Sequence, residues 1–128
     1  MAINFQKGGI IRLKSSSLEE AKILLEGFLV NNEDIICAFQ TIRDRIIFTN
    51  KRIVSVDVQG LVGKRKSYAS LPYSKVQFFS VQTPGLTEWF PDSELYLMFS
   101  NGFTATFDFH DKVDMGLLAR IIGQYMLE

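Results

Sequence analysis

Hydrophobic and polar residues alternate with a period of two along most of the chain, and the period becomes helical near both ends. The alternation extends from residue 34 to residue 109 and is interrupted by turn signals such as Pro72 and Asn101-Gly102. A period of two places successive side chains on opposite faces of a strand. Short alternating segments separated by turn residues are typical of an antiparallel sheet. The pattern predicts seven short strands.

Two segments show the alternation most clearly. One strand begins after Asn50-Lys51, a tight turn in which Asn50 can accept positive φ. The predicted strand after this turn divides into an apolar and a polar set: Val54, Val56 and Val58 against Ser55 and Asp57. The last strand divides in the same way: Phe103, Ala105, Phe107 and Phe109 against Thr104, Thr106 and Asp108. We expect the two sets to lie on opposite faces of each strand.

Residues 17 to 31 are predicted to form a helix. Ser17 and Glu20 have the spacing of a capping box, in which each side chain satisfies a free backbone N–H. Asn31-Asn32 is a suitable helix end, because Asn tolerates the left-handed conformation. Apolar residues then recur at helical spacing and form one stripe: Ala21, Leu24, Leu25, Phe28 and Leu29.

A second helix is predicted over residues 111 to 127, with Asp111 as its N-cap. Gly116 and Gly123 are expected to permit close packing against strands. The helix is apolar over a wide arc, which indicates that it lies across a hydrophobic opening. Two rows of side chains make up this arc: Val113, Leu117, Ile121 and Tyr125 beside Leu118, Ile122 and Met126.

These elements predict one α+β domain, mainly β, that spans residues 1–128. Seven antiparallel strands at 34–109, in two near-orthogonal sheets, would form a split barrel that the C-terminal helix closes. Residues 1–16 form an N-terminal lead. Its stretch IIRL is a candidate edge strand, although Gly8-Gly9 leaves this open.

The composition excludes several classes of partner and compartment. Lys plus Arg and Asp plus Glu number 14 each, so no global field attracts nucleic acid. The single Cys37 cannot form an intramolecular disulfide, which favours a reducing compartment. The N-terminus is too polar for a signal peptide, and no apolar run approaches the roughly 20 residues of a membrane span. We expect a cytoplasmic protein, with peripheral membrane contact as an alternative.

No catalytic constellation is visible in the sequence. His110 is the only histidine, and no Cys or second His stands at ligand spacing from it. Cys37 lies between Ile36 and Ala38, which indicates a small buried hydrophobic residue rather than a nucleophile. The carboxylates are scattered at helix caps and turns. We therefore expect no enzyme activity, no metal site and no cofactor.

Basic residues near the predicted turns are the main candidate site. Three interpretations remain open: binding of an anionic lipid headgroup, protection of strand edges against aggregation, and contact with a protein partner or another protomer. The adjacent aromatics Trp89 and Phe90 are candidates for an oligomer contact or core cover, or for a membrane-inserting wedge. The basic candidates are Arg43, Arg45, Lys51, Arg52, Lys64, Arg65 and Lys66.

Three stretches carry a resemblance to a known family: FQTIRD, FTNKRIVSVD and QGLVGKRKSYASLPYSKV. Together they resemble the bacterial pleckstrin-homology-like (PH-like) domain family over about residues 18 to 127, and more distantly the hairpin of GRAM domains. The loop GLTEWFPDSEL departs from the pattern. The resemblance implies a PH-like split barrel with a C-terminal capping helix and an extra N-terminal helix. It also implies cyclic, five-fold homo-oligomers without enzymatic activity, with protein-binding surfaces at the protomer junctions.

Three functional hypotheses follow. The first is a non-catalytic scaffold that assembles into a ring and mediates protein–protein interaction. The second is peripheral binding to anionic membranes through the basic residues. The third, a carrier of an apolar ligand inside the barrel, competes with the simpler view that the Phe residues fill a barrel of this size.

Overall fold

The computed structural model describes residues 10–57, 66–83 and 92–127. They contain eight strands, two α-helices and one short 3-10 turn. In chain order these are β1 Ile10–Ser15, α1 Leu18–Leu24, β2 Ile35–Gln40, β3 Asp44–Thr49, β4 Arg52–Asp57, β5 Ser67–Pro72, the turn Tyr73–Lys75, β6 Val76–Gln82, β7 Ser93–Phe99, β8 Thr104–Phe109 and α2 Met115–Met126. The mainly β class and the two predicted helices are confirmed.

The strands form a split-barrel-like sheet in the order β5-β4-β3-β2-β1-β8-β7-β6. β1 joins its two halves, because it pairs antiparallel with β2 and parallel with β8. The seven antiparallel strands predicted at 34–109 are present as β2 to β8, and β1 adds an eighth strand and one parallel pair. β1 occupies the middle of the sheet rather than an edge, and its Leu13 is fully buried. Because both partners of β1 are distant in sequence, the local pattern did not reveal this position.

Aromatic rings fill the main core between the two halves of the sheet. Phe39 and Phe109 lie with ring centroids 4.7 Å apart, and Phe48 and Phe107 lie 6.0 Å apart. These rings occupy the interior that a bound apolar ligand would need. Leu118 and Ile122 of α2 belong to the same cluster. The prediction that the C-terminal helix closes the hydrophobic opening is confirmed.

A second, smaller core lies beneath α1. Val54 and Val56 of β4 pack there against Ala21 and Leu25. Ile53 belongs to the main core, so β4 is buried on both faces. By strand alternation Ser55 and Asp57 share the face of Ile53 and are themselves buried. The predicted separation into two faces holds for the described residues, and Val54 and Val56 face α1. Val58 lies outside the described residues.

α1 is shorter than predicted and ends at Leu24 rather than at residue 31. Half of the predicted capping box is present at its start, because the Ser17 hydroxyl accepts a hydrogen bond from the Glu20 N–H at 3.2 Å. The Glu20 carboxylate accepts from Arg45 Nε instead. Gly27 has φ +85°, a left-handed conformation that breaks the helical path. Beyond it Phe28 and Leu29, predicted to lie on the buried stripe, are exposed. Asn32 does adopt positive φ, but in the turn before β2.

α2 begins at Met115, and Asp114 rather than Asp111 is its N-cap. The Asp114 carboxylate accepts from the Leu117 N–H at 3.0 Å. Asp111 instead accepts from the Ser15 N–H at 2.6 Å and so holds the start of the helix segment to β1. Gly116 and Gly123 do not contact strands. A Cβ on either glycine would meet only side chains of α2 and its two ends, so the predicted close packing is wrong.

Candidate functional site

The tip of the β3–β4 hairpin is held on two sides. Asn50 Oδ1 accepts from the Asp34 N–H at 2.8 Å, and its Nδ2 donates to the Asn32 carbonyl at 2.9 Å. Lys51 Nζ lies 5.4 Å from the centroid of the Tyr125 ring on α2. Asn50 does not have the positive φ that we expected for this turn. Side-chain contacts with the segment before β2, rather than a left-handed turn residue, hold it in place.

Arg52 forms a buried ion pair within the chain. Its guanidinium donates to both oxygens of Glu33, at 2.8 and 3.0 Å, and also to Ser70 Oγ and the Phe28 carbonyl. Glu33 is only 5% exposed, and Thr49 Oγ1 donates to it at 2.7 Å. Burial by itself raises the pKa of Glu33, but the hydrogen bonds of Arg52, the Val30 N–H and Thr49 lower it below its usual value. The Arg52–Glu33 pair therefore joins β4, β5 and the segment after α1.

Arg45 is also engaged inside the chain. Its Nε donates to Glu20 Oε1 of α1 at 2.7 Å, and its Nη1 donates to the carbonyls of Thr41 and Asp44. This contact places the first turn of α1 against the turn between β2 and β3. The guanidinium has most of its donors satisfied by the protein, which leaves little capacity for an external anion.

The predicted basic residues do not form one patch in the described part of the chain. Arg43 is exposed at the β2–β3 turn, whereas Lys51 and Arg52 lie at the opposite end of β3, roughly 16 Å away by strand rise. Lys66 is exposed at the start of β5. The other four candidates lie outside the described residues: Lys64, Arg65, Trp89 and Phe90.

Asp44 and Asp57 face each other directly across β3 and β4. Both carboxylates are buried, and Thr41 Oγ1 donates to Asp44 at 3.3 Å. Burial, followed by the nearby charge of Asp57, raises the pKa of Asp44. The sequence pattern did not predict this pair, because the two residues are 13 positions apart and are brought together only by the register of β3 and β4.

His110 and Cys37 do not form a reactive centre. His110 Nδ1 lies 3.3 Å from Asp92, and its Nε2 lies 3.7 Å from Asp108. Cys37 packs against the main core, and burial raises the pKa of its thiol to about 12, so the thiol is protonated at neutral pH. Within residues 10–57, 66–83 and 92–127 no group of three or more His, Cys, Asp or Glu side chains is arranged to hold a metal ion.

Two exposed apolar features stand out on the surface. The first, here the α1 patch, extends along α1 and the turn that follows it: Leu18, Ile23, Phe28, Leu29 and Val30. The second, here the β6–α2 groove, is a cavity of about 550 Å³ between the last strand of the sheet and the C-terminal helix, lined by Phe79, Ala119, Arg120, Gly123, Gln124 and Leu127. Neither was predicted. The recurrence of Ala119 and Gly123 four residues apart is the sequence signal that marks the groove.

Comparison with known proteins agrees with this architecture. The profile of the bacterial PH domain family matches residues 4–126. The uncharacterized protein YjqA of Bacillus subtilis is 40% identical over 95 residues, which are 73% of this chain and 70% of YjqA.

None of the helices in the described ranges is long and apolar enough to span a bilayer.

Two crystal structures are also similar to this chain. A DUF1696 family protein with a pleckstrin-homology domain from Shewanella loihica superposes with a TM-score of 0.65 at 29% identity, over 90% of this chain and 97% of that one. A pleckstrin homology domain from Shewanella amazonensis superposes with a TM-score of 0.58 at 31% identity, over 88% and 90% of the two chains.

Proposed function

Because this chain belongs to the bacterial PH domain family, we propose that it is a non-catalytic scaffold module that assembles with copies of itself and binds a protein partner. The observation that supports self-assembly most directly is the α1 patch. Ile23 is 72% exposed and Val30 is 56% exposed, although both lie beside well-packed segments. Several large apolar side chains exposed along one short segment are candidates for protein–protein contact in a soluble protein.

The α1 patch is fixed in place before any partner arrives. The Phe28 ring stacks on Tyr68 of β5 with centroids 4.2 Å apart, and the Phe28 carbonyl accepts from Arg52 at 2.7 Å. Tyr68 in turn donates to the Leu24 carbonyl at 3.1 Å. An apolar surface held by such contacts loses little conformational entropy on association, which favours binding.

The expected assembly is a closed ring. The α1 patch lies on one side of the molecule's sheet, and if it docks on a different surface of the next copy, the contact is heterologous. Heterologous contacts close into rings when the rotation between copies is a whole fraction of a turn. We propose a five-fold ring in which the junctions between protomers present surface to a partner.

Size-exclusion chromatography with light scattering tests this proposal. We expect a mass near five copies of the 14.6-kDa chain at micromolar concentration. The double variant Ile23→Lys/Val30→Lys should elute as a monomer, because two charges cannot be buried without partners. Leu127→Lys, an exposed apolar residue outside the α1 patch, is the matched control and should keep the wild-type mass. A monomeric wild-type protein would contradict the proposal.

A second candidate function, peripheral binding to anionic membranes, is favoured by the β2–β3 turn. Ile42 is 98% exposed there and lies next to the exposed Arg43. An apolar side chain beside a cation suits the lipid headgroup boundary. Co-sedimentation with vesicles that contain acidic lipid should then exceed that with neutral vesicles and should fall with salt. Equal sedimentation of Ile42→Ser/Arg43→Ser and the wild-type protein would exclude this function.

A further inference from the structure

β6 is a free edge of the sheet. It is the last strand in the order, and it pairs with β7 from Val76↔Phe99 to Gln82↔Glu94. No other strand of the described residues pairs with its outer side. A seven-residue strand with an unpaired side presents backbone N–H and C=O groups that another extended chain can pair with. β6 also carries no charged residue that would oppose such pairing.

The β6–α2 groove lies beside this edge. The helix side of the groove is shallow, because Ala119 and Gly123 have little or no side chain. Leu127, at the end of the groove, is 80% exposed. Phe79 of β6 forms the strand side. The groove is a shallow depression of about 550 Å³ that is open to solvent along its length. An extended chain that pairs with β6 can therefore direct an apolar side chain into the groove.

The charge at this site is positive. Arg120 lines the groove, is exposed, and forms no ion pair with any other described residue. Lys75, directly before β6, is exposed as well but does not line the groove. None of the described residues that line the groove carries a carboxylate. A ligand with a carboxylate opposite Arg120 would complement this charge.

We propose that the β6 edge and the β6–α2 groove bind an extended acidic segment of a partner protein. The segment adds a strand to β6, places an apolar side chain over Ala119 and Gly123, and pairs an Asp or Glu with Arg120. The other free edge of this chain does not supply these groups. β5 contains no acidic residue, its Tyr68 is held by Phe28 and Leu24, and its Leu71 is buried. A partner segment therefore fits better than a second copy.

Panning of a phage-displayed library of random linear peptides on the full-length protein tests the proposal. We expect enrichment of sequences with alternating apolar residues and an Asp or Glu. A selected peptide, synthesised with a fluorescein label, is then titrated by fluorescence anisotropy. Arg120→Glu should weaken its binding about tenfold or more. A peptide with Lys in place of its acidic residue should restore binding to Arg120→Glu.

A second variant fills the groove without harming the fold. At Gly123 an added Cβ would meet only Leu127 Cδ1, at 3.9 Å, and most residues are better helix formers than Gly. Gly123→Leu should therefore melt at or above the wild-type temperature and yet lose peptide binding. Lys66→Glu on the opposite edge of the sheet is the matched charge control and should bind the peptide normally. The variant Ile23→Lys/Val30→Lys should also bind normally, so this test is independent of ring assembly.

Three outcomes would overturn the proposal. The first is a selection without enrichment of acidic peptides, and the second is equal affinity of Gly123→Leu and the wild-type protein for the selected peptide. The third is a loss of the oligomer in Gly123→Leu, which would identify a second copy of this chain as the occupant of the groove.

Discussion

At the scale of single residues, Arg52 shows that a cation beside a hairpin turn need not be available to a ligand. Its guanidinium has four hydrogen bonds within the chain, and Glu33 is buried against it. Arg45 is engaged in the same way by Glu20. Among the basic candidates in the described ranges, Arg43 and Lys66 are exposed, whereas Arg45, Lys51 and Arg52 are half-buried. The charges of these two residues are therefore the ones most available to an external anion.

The first prediction concerns the Arg52–Glu33 pair. Arg52→Met keeps the length of the side chain but leaves the Glu33 carboxylate buried without its counter-ion. Loss of one partner of a buried ion pair typically costs about 3–5 kcal/mol of unfolding free energy. Urea denaturation followed by circular dichroism measures this change. Arg43→Met, at an exposed turn position, is the control and should change stability by no more than about 0.5 kcal/mol.

A second prediction concerns the opposed carboxylates Asp44 and Asp57. The pKa of Asp44 is raised in the folded protein, so its contribution to stability is present at low pH and is lost as pH rises through the folded pKa. Asp44→Asn removes the free-energy cost of ionising this buried carboxylate and should make the protein more stable than wild type at neutral pH. The difference in unfolding free energy between the variant and the wild-type protein should narrow as pH falls below the ordinary Asp pKa of about 3.9. Denaturant titrations at several pH values measure it, and a constant difference would contradict the electrostatic explanation.

At the scale of elements, the end of α1 and the beginning of α2 are set by backbone conformation and by side-chain contacts. The apolar stripe alone does not set these boundaries. The stripe of α1 continues through Phe28 and Leu29, but Gly27 at φ +85° turns the chain away first. At α2, Asp111 has the residue type of an N-cap but bonds to Ser15, so the helix begins after Asp114. In both cases a group distant in sequence or a single backbone angle overrides the periodicity.

A third prediction compares two glycines in these elements. Gly123→Ala lies inside α2 with open space around its Cβ and should stabilise the protein by about 1 kcal/mol, because Ala has the higher helix propensity. Gly27→Ala lies at positive φ and should destabilise it by about 1 kcal/mol despite equally open space. Thermal unfolding measures both. Equal shifts in melting temperature would show that the positive φ at Gly27 does not determine the effect of an added Cβ.

At the scale of the whole molecule, β1 and α2 unite the two halves of the sheet. β1 pairs with both halves, and α2 contributes Met115, Leu118 and Ile122 to the core that the halves share. The same arrangement creates the β6–α2 groove, because the helix lies over the main core and meets the last strand at its edge. The capping of the barrel and the candidate binding surface are thus consequences of one packing contact.

A fourth prediction follows from this contact. Leu118 is 1% exposed, so Leu118→Ala should lower the unfolding free energy by about 2–5 kcal/mol through lost burial and the cavity left behind. Leu127→Ala, at the exposed end of α2, should change it by no more than about 0.5 kcal/mol. Guanidinium denaturation compares the two. Similar effects of both substitutions would mean that α2 does not depend on its inner face for packing.

The amino-acid sequence by itself determined the features that depend on neighbours along the chain. The Ser17 cap of α1, the break at Pro72 and the apolar arc of α2 are present as predicted. The apolar residues of β8 lie in the core as predicted, although Thr106 from the opposite set is buried as well. Local periodicity and capping chemistry specify these elements because the interactions involved span only a few residues. The family resemblance, which uses short stretches of the same chain, also agrees with the family match.

Only the tertiary structure decided which elements meet. The parallel pairing of β1 with β8, the burial of Glu33 by Arg52 and the opposition of Asp44 and Asp57 join residues that no local pattern relates. The same holds for the β6–α2 groove, whose two walls are separated in the chain by two strands, β7 and β8. Long-range pairing depends on register and on the packing of distant surfaces. For this reason the helices and most strands of this protein could be predicted from the sequence, whereas its buried ion pair, its opposed carboxylates and its surface groove could not.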